Sequence, residues 1–272
     1  MTCTRIEEQG GVAILTLDRP EKLNAWNDQM EAEIFEGFRE LEARDRVRCI
    51  VVTGAGRAFC AGADLSAGAS TFADFDGGAA GPVAPLYPWD LRKPVIAAVN
   101  GHAVGVGLTF AMACDVRYVA LEAKLSFAFV RRGVIPGYAS HVTVARAIGF
   151  SRAAELLLSG RMMQGSEAVE WGLASQALPA DQVLDRAIAL GQEIATHSAP
   201  VSVALSKQLL WDGFASQPGA MKQREDELFS WVGDQSDAGE GVAAFLEKRA
   251  PRWSMSALRD WPRSLFGSRS GE

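Results

Sequence analysis

Cys49-Ile50-Val51-Val52-Thr53-Gly54-Ala55-Gly56-Arg57-Ala58-Phe59-Cys60-Ala61-Gly62-Ala63-Asp64-Leu65 joins an unbroken apolar run to a turn of small residues. Residues 49–53 carry no polar alternation, which suits a strand buried on both faces, as in a parallel sheet covered by helices. The same grammar recurs at residues 93–109, where Pro94 to Val99 leads into Asn100-Gly101-His102-Ala103-Val104-Gly105-Val106-Gly107-Leu108-Thr109 and then an apolar helix. Residues without bulk let a ligand approach backbone amides closely. Where such a turn opens a helix, unpaired N–H groups and the helix dipole converge on one point. Two turns facing one another aim two N–H groups at one developing oxyanion, the geometry that acyl chemistry needs. For either turn alone, the plainer reading is a tight strand-to-helix connection.

Outward from these turns, the first half of the chain alternates strands and helices. Gly11 to Leu17 is a β-rich run ended by Asp18-Arg19-Pro20, and Val116 to Ala120 is a further strand candidate. Asp28 is placed to cap a helix running to about Arg44, with Met30, Ile34, Phe38 and Leu41 on one stripe. Strands separated by helices imply an α/β core with crossover connections. From about Ser151 the pattern turns helical: Ser151 and Ser166 precede helical runs, and Asp181 is placed to cap a stretch ending near His197. Further helices are expected over 201–213, 219–231 and 237–248. A boundary near residue 195 divides a core, 1–195, from a helical region and tail, 196–272. Ser66 to Asp90, rich in Ala, Gly and Pro, reads either as a lid or binding loop or as a surface excursion.

Composition limits the function classes. The chain has 272 residues, 48% of them hydrophobic and 22% charged, so it can bury a large core and is not mainly disordered. A formal charge of −6 opposes broad nucleic-acid binding, which needs a cationic face. Cys3, Cys49, Cys60 and Cys114 are scattered and unpaired in spacing, which indicates reduced core thiols rather than a disulfide frame or a metal site. With no apolar leader and no apolar run long enough for a membrane span, a cytoplasmic location is expected. There is no GxxxxGK[ST] phosphate loop and no GxSxG elbow. The Gly54-x-Gly56 pair has Phe59 where a dinucleotide fingerprint needs its third glycine.

Together with their flanks, the two turns resemble the crotonase superfamily, the enoyl-CoA hydratase/isomerase family. Leu17-Asp18-Arg19-Pro20-Glu21-Lys22-Leu23-Asn24-Ala25 looks like its N-terminal signature, and IVVTGAGRAFCAGADL (50–65) and KPVIAAVNGHAVGVGL (93–108) look like its two oxyanion segments. Glu240 to Arg249 is similar to its closing helix. The resemblance implies a crotonase-like spiral of ββα repeats with a helical C-terminal trimerisation region, assembled as a homotrimer or a dimer of trimers. It implies an acyl-CoA ligand, with coenzyme A as part of the substrate and no separate cofactor or metal. By the same match, the backbone donors fall on Ala63 and Val106, flanked by Ala61, Asp64 and Gly105. Val106 stands where the family usually has glycine. Lys22 matches a position that contacts CoA phosphates, and Phe245 and Lys248 match positions that reach a neighbour's CoA. Solvated charge for the two lysines, and packing bulk for Phe245, are the alternatives.

One departure stands out. The positions of the two hydratase glutamates are Thr109 and Phe129, and the isomerase acid position is Gly137. None can act as a carboxylate, whereas hydration needs groups that activate water and protonate the α-carbon. His141, the one nearby side chain titrating near neutral pH, is the first candidate replacement and Tyr138 the second. Asp64 is suited equally to bracing its turn, and His102 to supporting its loop. Asp74, Asp76 and Asp90 lie in or beside the 66–90 stretch, able to swing inward if it is a lid, with nothing in the sequence to select among them. The alternative function is a non-catalytic acyl-CoA-binding protein. After Pro251, a tail bearing Arg252, Trp253, Arg259, Trp261, Arg263, Phe266 and Arg269 is expected to dock across a subunit interface, the alternatives being a basic amphipathic contact with a membrane or another protein, or a frayed end.

Overall fold

The computed structural model describes residues 2–73 and 83–265. Its first element pair is a hairpin, β1 (Thr4–Gln9) and β2 (Val12–Leu17), turned by Gly10 and Gly11, both at positive φ. A two-residue loop with two positive φ values matches the right-handed twist of the strands it joins. From β2 the sheet grows by parallel pairing through β3 (Cys49–Gly54), β5 (Val95–Val99), β7 (Val116–Ala120) and β10 (Gln176–Leu178), giving the order β1-β2-β3-β5-β7-β10. Every residue of β2, β3 and β5 is buried, which is why their sequences do not alternate.

A second sheet explains the spiral. The short strands β4 (Ala58–Cys60), β6 (His102–Val104), β8 (Lys124–Ser126) and β9 (Met163–Gln164) pair in that order. Thus β3 leads to β4, β5 to β6 and β7 to β8. Each turn of chain lays one strand in each sheet before a helical segment returns it. Six helices accompany this core: α1 (Asp28–Glu42), α2 (Val106–Ala113), α3 (Ser140–Ile148), α4 (Phe150–Ser159), α5 (Gly165–Trp171) and α6 (Val183–His197). The C-terminal region is helical, with α7 (Pro200–Asp212), α8 (Pro218–Gly233) and α9 (Ser236–Glu247).

Two capping expectations need correction. Asn27, not Asp28, caps α1, its side chain accepting from the Met30 N–H at 2.9 Å. Both residue types suit the position, but Asn27 has the extended backbone a cap requires, and Asp28 is already in the first turn. Asp181 sits in a 3-10 turn, Ala180–Gln182, and α6 starts after it with Gln182 at its cap. The described part of the tail packs on its own chain. Trp261 is buried under the Arg92 guanidinium, 5.3 Å from its ring centre, and joins Val201, Ala204, Leu205 and Leu228 in a second hydrophobic cluster. The Ser254 N–H donates to Asp237 and Trp253 Nε1 to the Thr196 carbonyl. Phe266 and Arg269 lie outside the described residues, as do Asp74 and Asp76 of the 66–90 segment.

Among the described residues no helix is long and apolar enough to cross a membrane. No group of three or more metal-ligating side chains occurs among them either. All four cysteines are free and buried.

Candidate active site

The two small-residue turns are fastened to each other and to the N-terminal signature. Asn100 accepts from the Gly54 N–H at 3.1 Å and donates to the carbonyls of Gly54 and Gly56 at 2.9 and 3.0 Å. Fully buried Asn24 donates to the carbonyls of Ala55 and Ala58, and accepts from the Arg19 N–H. At the centre, Gly107 lies on Cys60: a Cβ on Gly107 would sit 2.4 Å from the Cys60 carbonyl oxygen. Gly105 precedes α2 with φ +55° and ψ −126°, backbone that side chains oppose. These constraints bring Gly62 and Gly105 together, since a Cβ on Gly105 would meet the Gly62 Cα at 3.8 Å.

Ala63 and Val106 flank that junction. Ala63 forms a parallel bridge with Trp26, in which Trp26 N–H donates to Gly62 and Asp64 N–H donates to Trp26, each at 2.8 Å. In a parallel bridge the central residue directs its own N–H and C=O away from the partner, so the Ala63 amide faces the other side. Val106 is the first residue of α2, where an N–H has no intrahelical acceptor. Among the described residues neither amide donates to a protein atom. Two unpaired donors, one carrying the positive end of a helix dipole, can accept a developing negative charge.

Aromatic rings wall the same region. Trp26 packs against Phe110 and Tyr138, with ring centres 5.1 and 5.9 Å away, and Tyr138 also meets Phe110 and Tyr87 edge-on. The Tyr138 hydroxyl donates to Glu31 Oε1 at 2.8 Å. Burial, with the Glu31 carboxylate next in effect, keeps that hydroxyl protonated well above the ordinary tyrosine range.

The residues singled out from the sequence divide into groups. Ala61, Ala63, Asp64, Gly105 and Val106 are brought to one junction. Ala61 N–H donates to the Leu23 carbonyl. Asp64 receives Arg19 Nη2 at 2.8 Å, Lys22 Nζ at 3.2 Å and the Ser66 N–H at 3.1 Å. Arg19 and the bond from Ser66 hold its carboxyl well below the usual carboxylate range. Asp64 therefore braces the turn, and Lys22 is tied to it at the rim. Thr109, expected at the ligand, is fully buried, and its hydroxyl donates to the Val106 carbonyl behind the donor turn. Phe129 is half-buried in a 3-10 turn, Ala128–Arg132, and Gly137 is exposed. His141 is exposed in the first turn of α3, while Ser140, Thr143 and Val144 take the buried side, so the expected replacement faces solvent. His102 Nδ1 accepts from the Lys124 N–H and supports the β6–β8 connection. Asp90 accepts from the Tyr87 N–H. Phe245 on α9 and Lys248, which caps its C-terminus at positive φ, are exposed, and Phe245 lines an apolar groove with Ala199, Val242 and Trp253, not the donor turns.

Sequence reasoning passed over Arg19, Asn24, Trp26, Asn100 and Glu31. The first four stand in the quoted motifs or beside them, where a polar side chain next to a glycine turn signals a backbone brace. Glu31 carried no such signal, being one of several carboxylates on an amphipathic helix.

Comparison with known proteins gives this two-sheet spiral a family. The model for enoyl-CoA hydratase/isomerase matches residues 7–256. A probable enoyl-CoA hydratase of Mycobacterium tuberculosis is 38% identical over 254 residues, covering 92% of this chain and 96% of that protein. The 1,2-epoxyphenylacetyl-CoA isomerase of Escherichia coli is 35% identical over 257 residues, covering 90% and 95%. Among solved structures, a probable enoyl-CoA hydratase/isomerase from Mycobacterium abscessus superposes with a TM-score of 0.88 at 41% identity, covering 93% of this chain and 99% of the other. The chain belongs to the enoyl-CoA hydratase/isomerase family.

Proposed function

We propose that the protein binds an acyl-CoA thioester with its carbonyl oxygen between the N–H groups of Ala63 and Val106, and stabilises the enolate formed at the α-carbon. The observation that carries this reading is the pair of amides with no acceptor among the described residues, on turns fixed together at Gly107 and Cys60. Two donors polarise the thioester, acidify its α-carbon and hold the negative charge that develops on oxygen. One such donor is worth about 3 kcal/mol of barrier. Val106 serves as well as glycine there, because the donor is main chain. Lys22, at the rim beside Asp64, is suited to CoA phosphates, and coenzyme A enters as part of the substrate with no further cofactor.

The mechanism is that of a lyase or isomerase of the family rather than a two-glutamate hydratase, since Thr109 and Phe129 offer no titratable group. Assembly into a homotrimer or a dimer of trimers is part of the proposal. It is supported by apolar side chains left uncovered in one copy, among them Phe150, Phe229 and Phe245, each more than 80% exposed. A cytoplasmic setting accords with four free thiols.

The missing glutamates favour a second reading, a non-catalytic acyl-CoA-binding protein. Calorimetry with butanoyl-CoA, run beside the absorbance of crotonyl-CoA at high enzyme concentration and a proton-exchange assay, separates the two. Binding with proton exchange supports the enzyme, and binding without any turnover supports the second reading. Absence of binding contradicts both.

A further inference from the structure

A cavity of about 200 Å³ lies at the N-terminal ends of the sheet strands, whereas the donor turns follow the C-terminal ends of β3 and β5. Its walls come from the starts of β3 and β5, from α6 and α7, and from the tail after Pro251. That volume holds on the order of ten waters, the scale of a small molecule. Four cations line it, Arg48, Arg92, Lys93 and Arg259, against one carboxylate, Asp45. Arg92 is taken up by Glu42 and by the Trp261 ring. Arg259 lies 3.4 Å from Asp45, which also accepts from Ser256 Oγ. Arg48 and Lys93 are different. The register of β3 with β5, Ile50 opposite Val95, sets them side by side where the two strands begin. Arg48 Nη2 donates to the Ser198 carbonyl at 2.7 Å, and Lys93 Nζ to those of Leu41 and Arg44 at 2.5 and 2.6 Å. These acceptors stand at the C-terminal ends of α6 and α1, and a helix end carries only about half a negative charge. Neither cation has a carboxylate at ion-pair distance among the described residues. Asp237, whose charge reaches Arg48, is occupied by the N–H groups of Ser254 and Met255. Burial draws the Lys93 ammonium below its ordinary range, and Arg48 acts in the same direction against Glu42, Asp45 and Glu8.

We propose that this cavity binds a phosphate group, free or carried by a small monoester, gripped by Arg48 and Lys93 and closed over by Arg259 of the tail. The inference is independent of the acyl-CoA reading and concerns the opposite end of the sheet. Two neighbouring, half-balanced cations on one cavity repel each other, and an oxyanion between them removes that cost. Charge matching selects a dianion over a carboxylate. Among the described residues, Nη2 is the one nitrogen of the Arg48 guanidinium that meets an acceptor, so the rest of its fork is left for the planar, paired bonds that phosphate accepts. Bound there, the anion joins the core strands to the tail and stabilises the fold by mass action.

Calorimetry on the full-length protein tests this near neutral pH, with inorganic phosphate in one arm and phenyl phosphate in the other, against chloride at matched ionic strength. At least one arm is expected to saturate, with a dissociation constant of about 1 mM or tighter. Tighter inorganic phosphate identifies the free ion as the ligand, and tighter phenyl phosphate identifies a monoester. Arg48→Gln is expected to weaken binding about tenfold or more, because charge-assisted bonds are lost. Arg259→Gln, at an exposed side chain, guards against misfolding of the first variant and is expected to weaken binding about threefold. Both variants are expected to keep wild-type affinity for butanoyl-CoA. Lys22→Gln, at the rim of the donor turns, is expected to leave phosphate binding unchanged. No saturable binding in either arm overturns the proposal and leaves the acyl-CoA reading standing. Undiminished binding by both Arg48→Gln and Arg259→Gln overturns it as well. Loss of binding in Lys22→Gln would place the anion at the donor turns and equally overturn it.

Discussion

Gly107 and Cys60 touch so closely that no side chain fits between them: the nearest atoms to a Cβ on Gly107 would be the Cys60 carbonyl oxygen at 2.4 Å, its Cβ at 2.6 Å and its Sγ at 2.9 Å. Contact with a backbone oxygen cannot be relieved by a rotamer change, so Gly107→Ala must push the donor turns apart. The variant is expected to lose about 1–3 kcal/mol of stability and most of its affinity for acyl-CoA. Gly105→Ala makes a useful contrast. Its Cβ has room, but φ +55° opposes it, so the turn is expected to re-aim Val106 with a stability loss of about 1–2 kcal/mol. Denaturant titration with calorimetry on both variants checks this. Wild-type binding by Gly107→Ala would contradict it.

Asp64 gathers Arg19, Lys22 and the Ser66 N–H, and its carboxyl lies below the usual range. A group depressed in the folded state stabilises above its unfolded pKa, about 3.9, and that contribution disappears as pH falls further. Asp64→Asn is expected to cost about 1–2 kcal/mol at neutral pH. The difference from wild type should shrink below about pH 4. Urea titrations across the acid range measure it, and a difference as large at pH 2 as at pH 7 would contradict the assignment.

Lys93 is buried, its Nζ donating to the carbonyls of Leu41 and Arg44 at 2.5 and 2.6 Å. Burial brings its pKa from 10.5 down to about 8. Between those values the unfolded chain binds more protons than the folded one, so this group's contribution to stability rises with pH. Relative to Lys93→Met, wild type is expected to gain up to about 3 kcal/mol from pH 8 to 10.5. A flat difference across that window would refute the buried-cation account.

Burial raises the thiols of Cys49, Cys60 and Cys114 to about 12 and lifts that of Cys3. Reactivity belongs to the thiolate. A disulfide reagent at pH 8 is therefore expected to label none of the four in the native protein and all of them in denaturant. Rapid native labelling of Cys60 would show that the junction between the turns opens.

How much of this was legible beforehand follows from the physics of each element. Strands β2, β3 and β5 stand out because burial on both faces keeps their sequences almost wholly apolar, whereas β7, which carries Arg117, is marked by its β-branched and aromatic residues. The short strands β4, β6, β8 and β9 leave no such mark, since two or three residues give no periodicity, and their pairing depends on partners far along the chain. Strand β1, Thr-Arg-Ile-Glu-Glu-Gln, was hidden by the polarity of an exposed edge. Helix α3 follows Pro136 and Gly137, two residues that favour turns and mask the start of a helix. At the site, the donor positions came through the motifs, because glycines at forced dihedrals leave a spacing that persists in sequence. Side-chain direction does not. His141 and Tyr138 are three residues apart, and only the fold sends one to solvent and the other to Glu31 on a distant helix. The Glu31–Tyr138 contact spans 107 positions and leaves no local pattern.

The proposed function depends on the amides of Ala63 and Val106 gripping one thioester oxygen. Isotope-edited infrared spectroscopy of butanoyl-CoA labelled with carbon-13 at the thioester carbonyl reads that grip directly. Two donors are expected to lower the carbonyl stretching frequency of the bound ligand below that in water, and Gly105→Ala, which re-aims Val106, should return part of the shift. A bound carbonyl at or above its frequency in water would mean that the oxygen does not lie between those amides.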